Sequence, residues 1–399
     1  MSYFDRLLEN VEVKWKPLSH AENGVAVLCR GRVMSKEYLA ENAGVYPVYS
    51  SQTADNGEIG KIKTFDHDGE AITWTTDGVN AGTVFHRVGK FSITNVCGLI
   101  KIIDTNELNY KFLFYWLSIE AKKHVYSGMG NPKLMSNQMA KIQIPIPPLK
   151  IQKEIVCILD AFTEFTAELT AELTAELAAR KKQYNYYRDQ LLNFEGKDVE
   201  WKTLEEIFDL KNGYTPSKSN QEYWKDGTIP WFRMEDIREN GRVLNKSIQY
   251  VNSCAIKNGK LFPANSIIVA TSATIGEHAL ITVPFLSNQR FTNMSLKSEY
   301  ANKFIIKFLF YYGFVLDEWC KNNITVGNFA GVDMNGFKKF LIPIPTLEEQ
   351  KHIVTILDKF DTLTTSISEG LPKEIELRQK QYEYYRDMLL TFSKDNLKA

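Results

Sequence analysis

The side chains best suited to chemistry in this chain lie in two sets of polar loops. The first half carries Arg30-Gly31-Arg32, Ser50-Ser51-Gln52, Trp74-Thr75-Thr76-Asp77, Asn80 and Gly128 to Lys133. The second half carries Thr215-Pro216-Ser217-Lys218, Tyr223-Trp224, Trp231-Phe232-Arg233-Met234, Ser272-Ala273-Thr274 and Asn288-Gln289-Arg290. Arg, Lys, Asn, Gln, Ser and Thr are the side chains that read base edges and hold phosphate oxygens. The candidate DNA contacts are therefore Arg30, Arg32, Ser51, Gln52, Trp74, Thr76, Asn80 and Lys133, then Lys218, Arg233, Ser272, Thr274, Asn288 and Arg290. The four arginines carry the most weight. A loop Ser or Asn is also an ordinary turn former, and Trp74, Trp224 and Trp231 read first as strand packing.

Catalytic signatures are missing. The stretch Gly82 to Lys90 lacks the spacing of a phosphate-binding GxxxxGK[ST] loop. None of the six histidines sits in HExxH, and no GxSxG elbow occurs. The Asn/Asp-Pro-Pro-aromatic motif of amino-methyltransferases is approached by Asn131-Pro132-Lys133-Leu134, which fails at two positions. The five cysteines (29, 97, 157, 254, 320) form no CxxC pair, which argues against a disulfide framework or thiolate zinc site. No metal is expected on this chain.

The loops need elements to hold them. Glu70 to Thr76 and Ser266 to Thr271 read as strands bounded by turns, and Tyr110 to Val125 and Asn302 to Cys320 read as helices. Residues 19–143 and 205–341 thus read as two α+β segments whose sheets form the binding platform.

The segments are framed by a duplication. Ile144-Pro145-Ile146-Pro147 recurs as Ile342-Pro343-Ile344-Pro345, Gln152 as Gln350, and Ile158-Leu159-Asp160 as Ile356-Leu357-Asp358. Tyr186-Tyr187-Arg188-Asp189 recurs as Tyr384-Tyr385-Arg386-Asp387, all at a constant offset of 198. Earlier, Val13-Lys14-Trp15-Lys16 matches Val199-Glu200-Trp201-Lys202 at offset 186, so the second variable segment is the longer. The similarity between residues 7–15 and those following the first repeat suggests a nearly circular, pseudo-two-fold chain whose ends meet.

From about Ile151 the apolar spacing turns helical and holds to about Asn193, roughly 64 Å of helix. A spacer is the natural reading. The second copy is interrupted at Gly370-Leu371-Pro372, where a fresh helix should begin. Matching apolar stripes would pair antiparallel as a coiled coil. In the first helix Thr-Ala-Glu-Leu occurs three times, ending at Leu169, Leu173 and Leu177. Each copy adds about 6 Å and a net turn of about 40°. A base pair advances ~3.4 Å and turns ~34–36°, so copy number could set the spacing of flanking domains.

Composition adds bounds. With 48 basic and 48 acidic residues the chain is neutral, a mild argument against nucleic-acid binding that a locally basic groove would overcome. No run is apolar enough to span a membrane, and residues 1–10 hold no apolar run. A cytoplasmic protein is expected.

This plan resembles the specificity subunit of type I restriction-modification systems. The resemblance rests on the two Ile-Pro-Ile-Pro…Gln segments, the paired Ile-Leu-Asp and Tyr-Tyr-Arg-Asp segments, and the tetrapeptide run, which points to the IC subclass. It implies an α+β architecture with two target recognition domains, 19–143 and 199–341. Two long antiparallel helices would lie between them, within repeated regions 144–198 and 342–399, and segment 1–18 would close onto the second repeat. Each domain would read one half of a bipartite duplex-DNA site. The helices would set the spacer and dock methyltransferase subunits, normally two, and restriction subunits would join that core. S-adenosylmethionine, ATP and Mg would belong to those partners, leaving this chain no cofactor. The competing readings are a stand-alone DNA methyltransferase or nuclease, and a structural dimeriser that binds proteins.

Overall fold

A computed structural model of the chain describes residues 3–9, 11–19, 23–127, 130–257, 260–325, 330–365 and 369–392. It divides into two compact units, one of residues 1–170 with 377–399, the other of residues 171–376. Each is mixed helix and strand.

The first unit contains a four-stranded sheet, in the order Ala26–Arg30, Cys97–Ile102, Glu70–Thr75, Val84–Val88. A three-stranded sheet accompanies it, ordered Glu58–Ile62, Ala43–Tyr49, Ser92–Ile93, the last pair parallel. The second unit repeats both. Its larger sheet runs Phe208–Asn212, Phe291–Leu296, Ser266–Ala270, His278–Ile281 and adds a parallel edge strand, Val243–Leu244. Its smaller sheet runs Tyr250–Val251, Ile229–Phe232, Leu286–Ser287, again with the last pair parallel. Two segments of divergent sequence therefore share one fold. Burial is what they have in common: Glu70–Thr75 is buried at every position after the first, and Ser266–Ala270 at all five. An apolar run buried on both faces needs no alternation.

The repeated residues form the frame. Prolines keep both Ile-Pro-Ile-Pro segments extended. The strand Gln143–Ile146 pairs antiparallel with Lys14–Pro17, setting Trp15 opposite Pro145. Leu341–Ile344 pairs in the same way with Glu200–Thr203, setting Trp201 opposite Pro343. A long helix, Leu149–Leu191, follows the first pair for 43 residues. After the second pair come two helices, Leu347–Thr365 and Leu371–Leu389, of 19 residues each. Gly370 precedes the second of these at φ +82°, and a Cβ there would lie 2.5 Å from the Thr362 carbonyl oxygen. The interruption expected from Gly370-Leu371-Pro372 falls at this point.

Two clamps join frame to domain, and each is built twice. Gln152 is fully buried. Its Oε1 accepts from the Asn109 backbone N–H, and its Nε2 donates to the carbonyls of Glu107 and Pro147, all at 2.8 Å. Gln350, also fully buried, does the same for Ile305, Lys303 and Pro345. Asp160 receives Lys111 at 2.5 Å and the Tyr115 hydroxyl at 2.7 Å. Asp358 receives Lys307 at 2.7 Å and the Tyr311 hydroxyl at 2.6 Å. Burial raises the pKa of both phenols, and the carboxylate each one faces adds to the shift. Both therefore stay protonated donors.

The helices complete the cores. In the first unit Phe162 packs on Tyr385 and Thr163 bonds the Tyr382 hydroxyl, while Leu389 and Leu390 enter the core formed by Trp74, Phe112 and Leu159. Leu7 and Leu8 pack against the same core. In the second unit Tyr184 and Tyr187 pack on Phe360, and Leu192 and Phe194 enter the core with Phe308 and Leu357. Leu169, Leu173 and Leu177 are half-buried, one stripe of a long helix whose glutamates at 168, 172 and 176 are exposed.

Candidate nucleic-acid interface

Four backbone hydrogen bonds recur at one edge of each unit and align the loops there. Gly31 N–H meets the Cys97 carbonyl as Gly213 N–H meets that of Phe291. Thr94 donates to Tyr49 as Asn288 donates to Phe232. Thr76 donates to Val96 and accepts from Leu134, as Thr271 donates to Arg290 and accepts from Val332. Ser50 therefore takes the place of Arg233, and Asn95-Val96 that of Gln289-Arg290. The chain crosses itself so closely here that only glycine fits. A Cβ on Gly31 would lie 2.1 Å from the Ile93 oxygen, and one on Gly213 2.2 Å from that of Asn288.

In the second unit this edge is an open cleft of about 740 Å³. It gathers Lys218, Arg233, Asn288 and Arg290 from the sequence candidates, and its walls include Gln221, Trp224 and Gln249. Arg233 lies over Trp231, 5.6 Å from the ring centroid, and its Nε is buried with no hydrogen-bond partner. Its backbone is fixed by Asp236, fully buried, whose carboxylate accepts from the N–H groups of Arg233 at 2.7 Å and Ile248 at 2.6 Å. Burial raises the Asp236 pKa, against the lowering by those two donors. Trp231 donates its indole N–H to the Tyr214 carbonyl and Trp224 to that of Ser217, so both rings brace the wall. Arg290 and Lys218 are exposed. Ser272 follows Thr271 at the same edge, opposite Gly331. Thr274 turns inward, with its hydroxyl buried and unbonded.

The equivalent edge of the first unit is more tightly bound to itself. Arg32 pairs with Asp66 at 3.0 Å and with the Tyr38 hydroxyl at 3.0 Å. Arg30 reaches Ser136 Oγ and the Asn95 carbonyl, both at 3.3 Å. Gln52 donates to the Glu58 carbonyl, and Ser51 beside it is half-buried. Asn80 ends the 77–80 turn, its carbonyl accepting from Thr75 and Thr83, and Lys133 is bridged to Asp77 at the start of that turn and to Tyr126. Val79, at the tip of that turn, is 94% exposed. Residues 128 and 129 of the neighbouring candidate loop lie outside the described residues.

Three candidates face inward: Thr274, whose hydroxyl is buried, and Trp74 and Thr76 of the first unit. Trp74 is 0% and Thr76 2% exposed, and the Trp74 indole N–H is spent on the Leu134 carbonyl at 2.9 Å. Their side chains belong to the core because they sit at and just beyond the end of a strand covered on both faces. The sequence reading also missed Gln221, Gln249 and Arg87. The first two are polar residues in unremarkable loops and gave no signal. Arg87, 6% exposed, lies over Tyr49 at 3.5 Å and donates to the Asn56 carbonyl at 2.5 Å, bracing the loop that carries Gln52. Among the described residues no cluster of His, Cys, Asp or Glu could hold a metal ion, and no helix is long and apolar enough to cross a membrane.

The comparisons with known proteins agree with this geometry. The profile of the family described as type I restriction modification DNA specificity domain matches residues 22–179 and 196–377. The chain is 37% identical over 424 residues to the type I restriction enzyme EcoR124I/EcoR124II specificity subunit of Escherichia coli, covering 99% of this chain and 98% of that one. It is 57% identical over 220 residues to the EcoprrI specificity subunit of Escherichia coli, covering 53% and 54%. A chain solved in a study of complex assembly and conformational transition of the type I R-M system superposes with a TM-score of 0.69 at 15% identity, covering 95% and 97%. The HsdS subunit of Thermoanaerobacter tengcongensis superposes at 0.55, also at 15% identity, covering 94% and 95%. With its duplicated frame and its two recognition folds, the chain belongs to the type I restriction-modification DNA specificity subunits, the family that supplies sequence recognition and leaves catalysis to its partners.

Proposed function

We propose that each recognition fold reads one half of a split duplex-DNA site, with residues 19–143 serving one half and 199–341 the other. The observation that carries this reading is one edge built twice on one backbone pattern but lined with different side chains. Equivalent backbone with unlike polar residues is what two unlike half-sites require, since base edges are read by side chains and register is held by phosphate contacts. The contacts we assign are Arg30, Arg32, Ser51, Gln52, Asn80 and Lys133 in one half, and Lys218, Arg233, Ser272, Asn288 and Arg290 in the other.

The long helix links the two reading units, and its three Thr-Ala-Glu-Leu copies set the unread spacer, as in the IC subclass. The frame helices dock two methyltransferase subunits, to which restriction subunits are added. Those partners use S-adenosylmethionine, ATP and Mg, and the complex works in the cytoplasm. The test is deletion of Thr174 to Leu177 in cells that carry the partner subunits. Methylome sequencing should show both half-sites unchanged and the spacer shorter by about one base pair. An unchanged spacer would refute the ruler.

A further inference from the structure

A second cleft in the 171–376 unit, of about 790 Å³, lies away from the reading edge. The two clefts occupy opposite ends of the short helix Met234–Asn240: Arg233 precedes it at the reading edge, and Arg238 and Gly241 line the second cleft. The second cleft is basic. Lys181, Arg188, Arg238 and Arg242 line it against Glu277 and Asp361. Arg188 and Arg242 both approach the Phe314 ring, at 4.7 and 5.0 Å from its centroid. Arg242 is anchored by Asp317 at 3.2 Å, and Arg188 by Asp189 at 2.8 Å, a carboxylate at the surface. Among the described residues Lys181 and Arg238 have no carboxylate within ion-pair distance. Tyr184 lines the same cleft; the residue is 7% exposed, and its hydroxyl, buried on the Arg188 side, has no hydrogen bond of normal geometry.

The frame supplies its own control. At the constant offset of 198, Tyr184 corresponds to Tyr382 and Asp361 to Thr163. In the first unit the Tyr382 hydroxyl is bonded to Thr163 at 3.0 Å. Lys111 to Tyr115 matches Lys307 to Tyr311 at an offset of 196, which sets Phe314 opposite Ser118, and Arg242 adjoins an edge strand that, among the described residues, the first unit lacks. The second unit thus leaves a buried hydroxyl unbonded and brings two guanidinium groups to one ring. A buried polar group without a partner is costly, and a bound anion would supply that partner while facing both guanidinium groups. Asp361 is the carboxylate nearest these groups; burial raises its pKa, against the lowering by its hydrogen bond from Thr365.

We propose that this cleft binds a phosphate-type oxyanion, free or carried on a nucleic-acid backbone, between Arg188, Arg242 and the Tyr184 hydroxyl, with Lys181 and Arg238 at its mouth. The probes are inorganic phosphate and a 30-base-pair duplex of arbitrary sequence, each titrated into the full chain by calorimetry, with chloride at matched ionic strength as reference. The variants are Tyr184→Phe, which removes only the hydroxyl, and Lys181→Gln with Arg238→Gln, both exposed and so without consequence for folding. If the anion is free phosphate, it binds selectively over chloride and the double variant weakens it by about tenfold. If the phosphate is carried on DNA, the double variant lowers the salt slope of duplex binding by about 1 to 2. In either case Tyr184→Phe weakens the same ligand by about threefold or more. The proposal is overturned if phosphate behaves as chloride does and the duplex salt slope of the double variant equals that of the parent.

Discussion

The edge of the second unit is open where that of the first is closed upon itself. Arg233 and Arg290 stand in a cleft, whereas Arg32, on the equivalent edge, is held by Asp66 and Tyr38. Below the edges the difference vanishes, since Gln152 and Gln350 make the same three hydrogen bonds. The two segments differ in sequence, length and rim, yet the atoms that fasten each domain to its helix are the same. A recognition domain can change what it reads without changing how it is held.

The sharpest way to break this comparison is through the two glutamines. Gln152→Ala and Gln350→Ala each strand one buried N–H and two carbonyls, at about 1–3 kcal/mol for each group left unsatisfied. Urea unfolding should show both variants destabilised by about the same amount, 2–4 kcal/mol with relaxation. A difference of more than about 1 kcal/mol between them would mean that the two clamps are not equivalent.

The rims should separate where the clamps do not. In the assembled complex, on a duplex defined by methylation mapping, Arg233→Ala should cost about 1–3 kcal/mol of binding and relax one position of its half-site. Arg32→Ala should cost less, because in the free chain Arg32 is held by Asp66 at 3.0 Å, a tighter pair for DNA to displace than that of Arg233 with Glu235 at 3.8 Å. Equal losses in a gel-shift assay would erase the distinction between open and closed edges.

The smallest effect concerns acid. The Glu206 carboxylate accepts from the backbone N–H of Thr203 at 2.8 Å and from its hydroxyl at 2.7 Å, holding its pKa down at about 2. A depressed pKa stabilises the fold above the unfolded value of 4.5 and loses that contribution as pH falls toward 2. Glu206→Gln should flatten the stability of the second unit across that window. A carboxyl titration by NMR with its midpoint near 4.5 would remove the basis for this expectation.

Much of the fold was legible because it repeats. The constant offset exposed the frame, helical spacing gave the long helix to within two residues at each end, and Gly370 with Pro372 marked the interruption. The site was less legible, for a definite reason. Loop composition shows which residues can bond to DNA but not which of them are already bonded. Arg32 and Asp66 are 34 positions apart, so no local pattern announces their pairing. Trp74 and Thr76 read as strand residues beside a polar turn, and alternation cannot reveal that the strand they end is covered on both faces. The cleft of the second unit assembles Lys218, Arg233, Gln249 and Arg290 from four separate loops, and nothing but the fold brings these together.

The core of the first unit contains Leu389 and Leu390, and Phe392 packs on Phe112 and Trp116. The second unit, residues 171–376, is contiguous and can close as soon as it has been made. During synthesis the usual order is therefore inverted: the domain that leaves the ribosome first finishes last. Until the final helix arrives, Phe112 and Trp116 lack their cover, and an arrest of translation between the two units would leave an apolar surface open to chaperones and proteases.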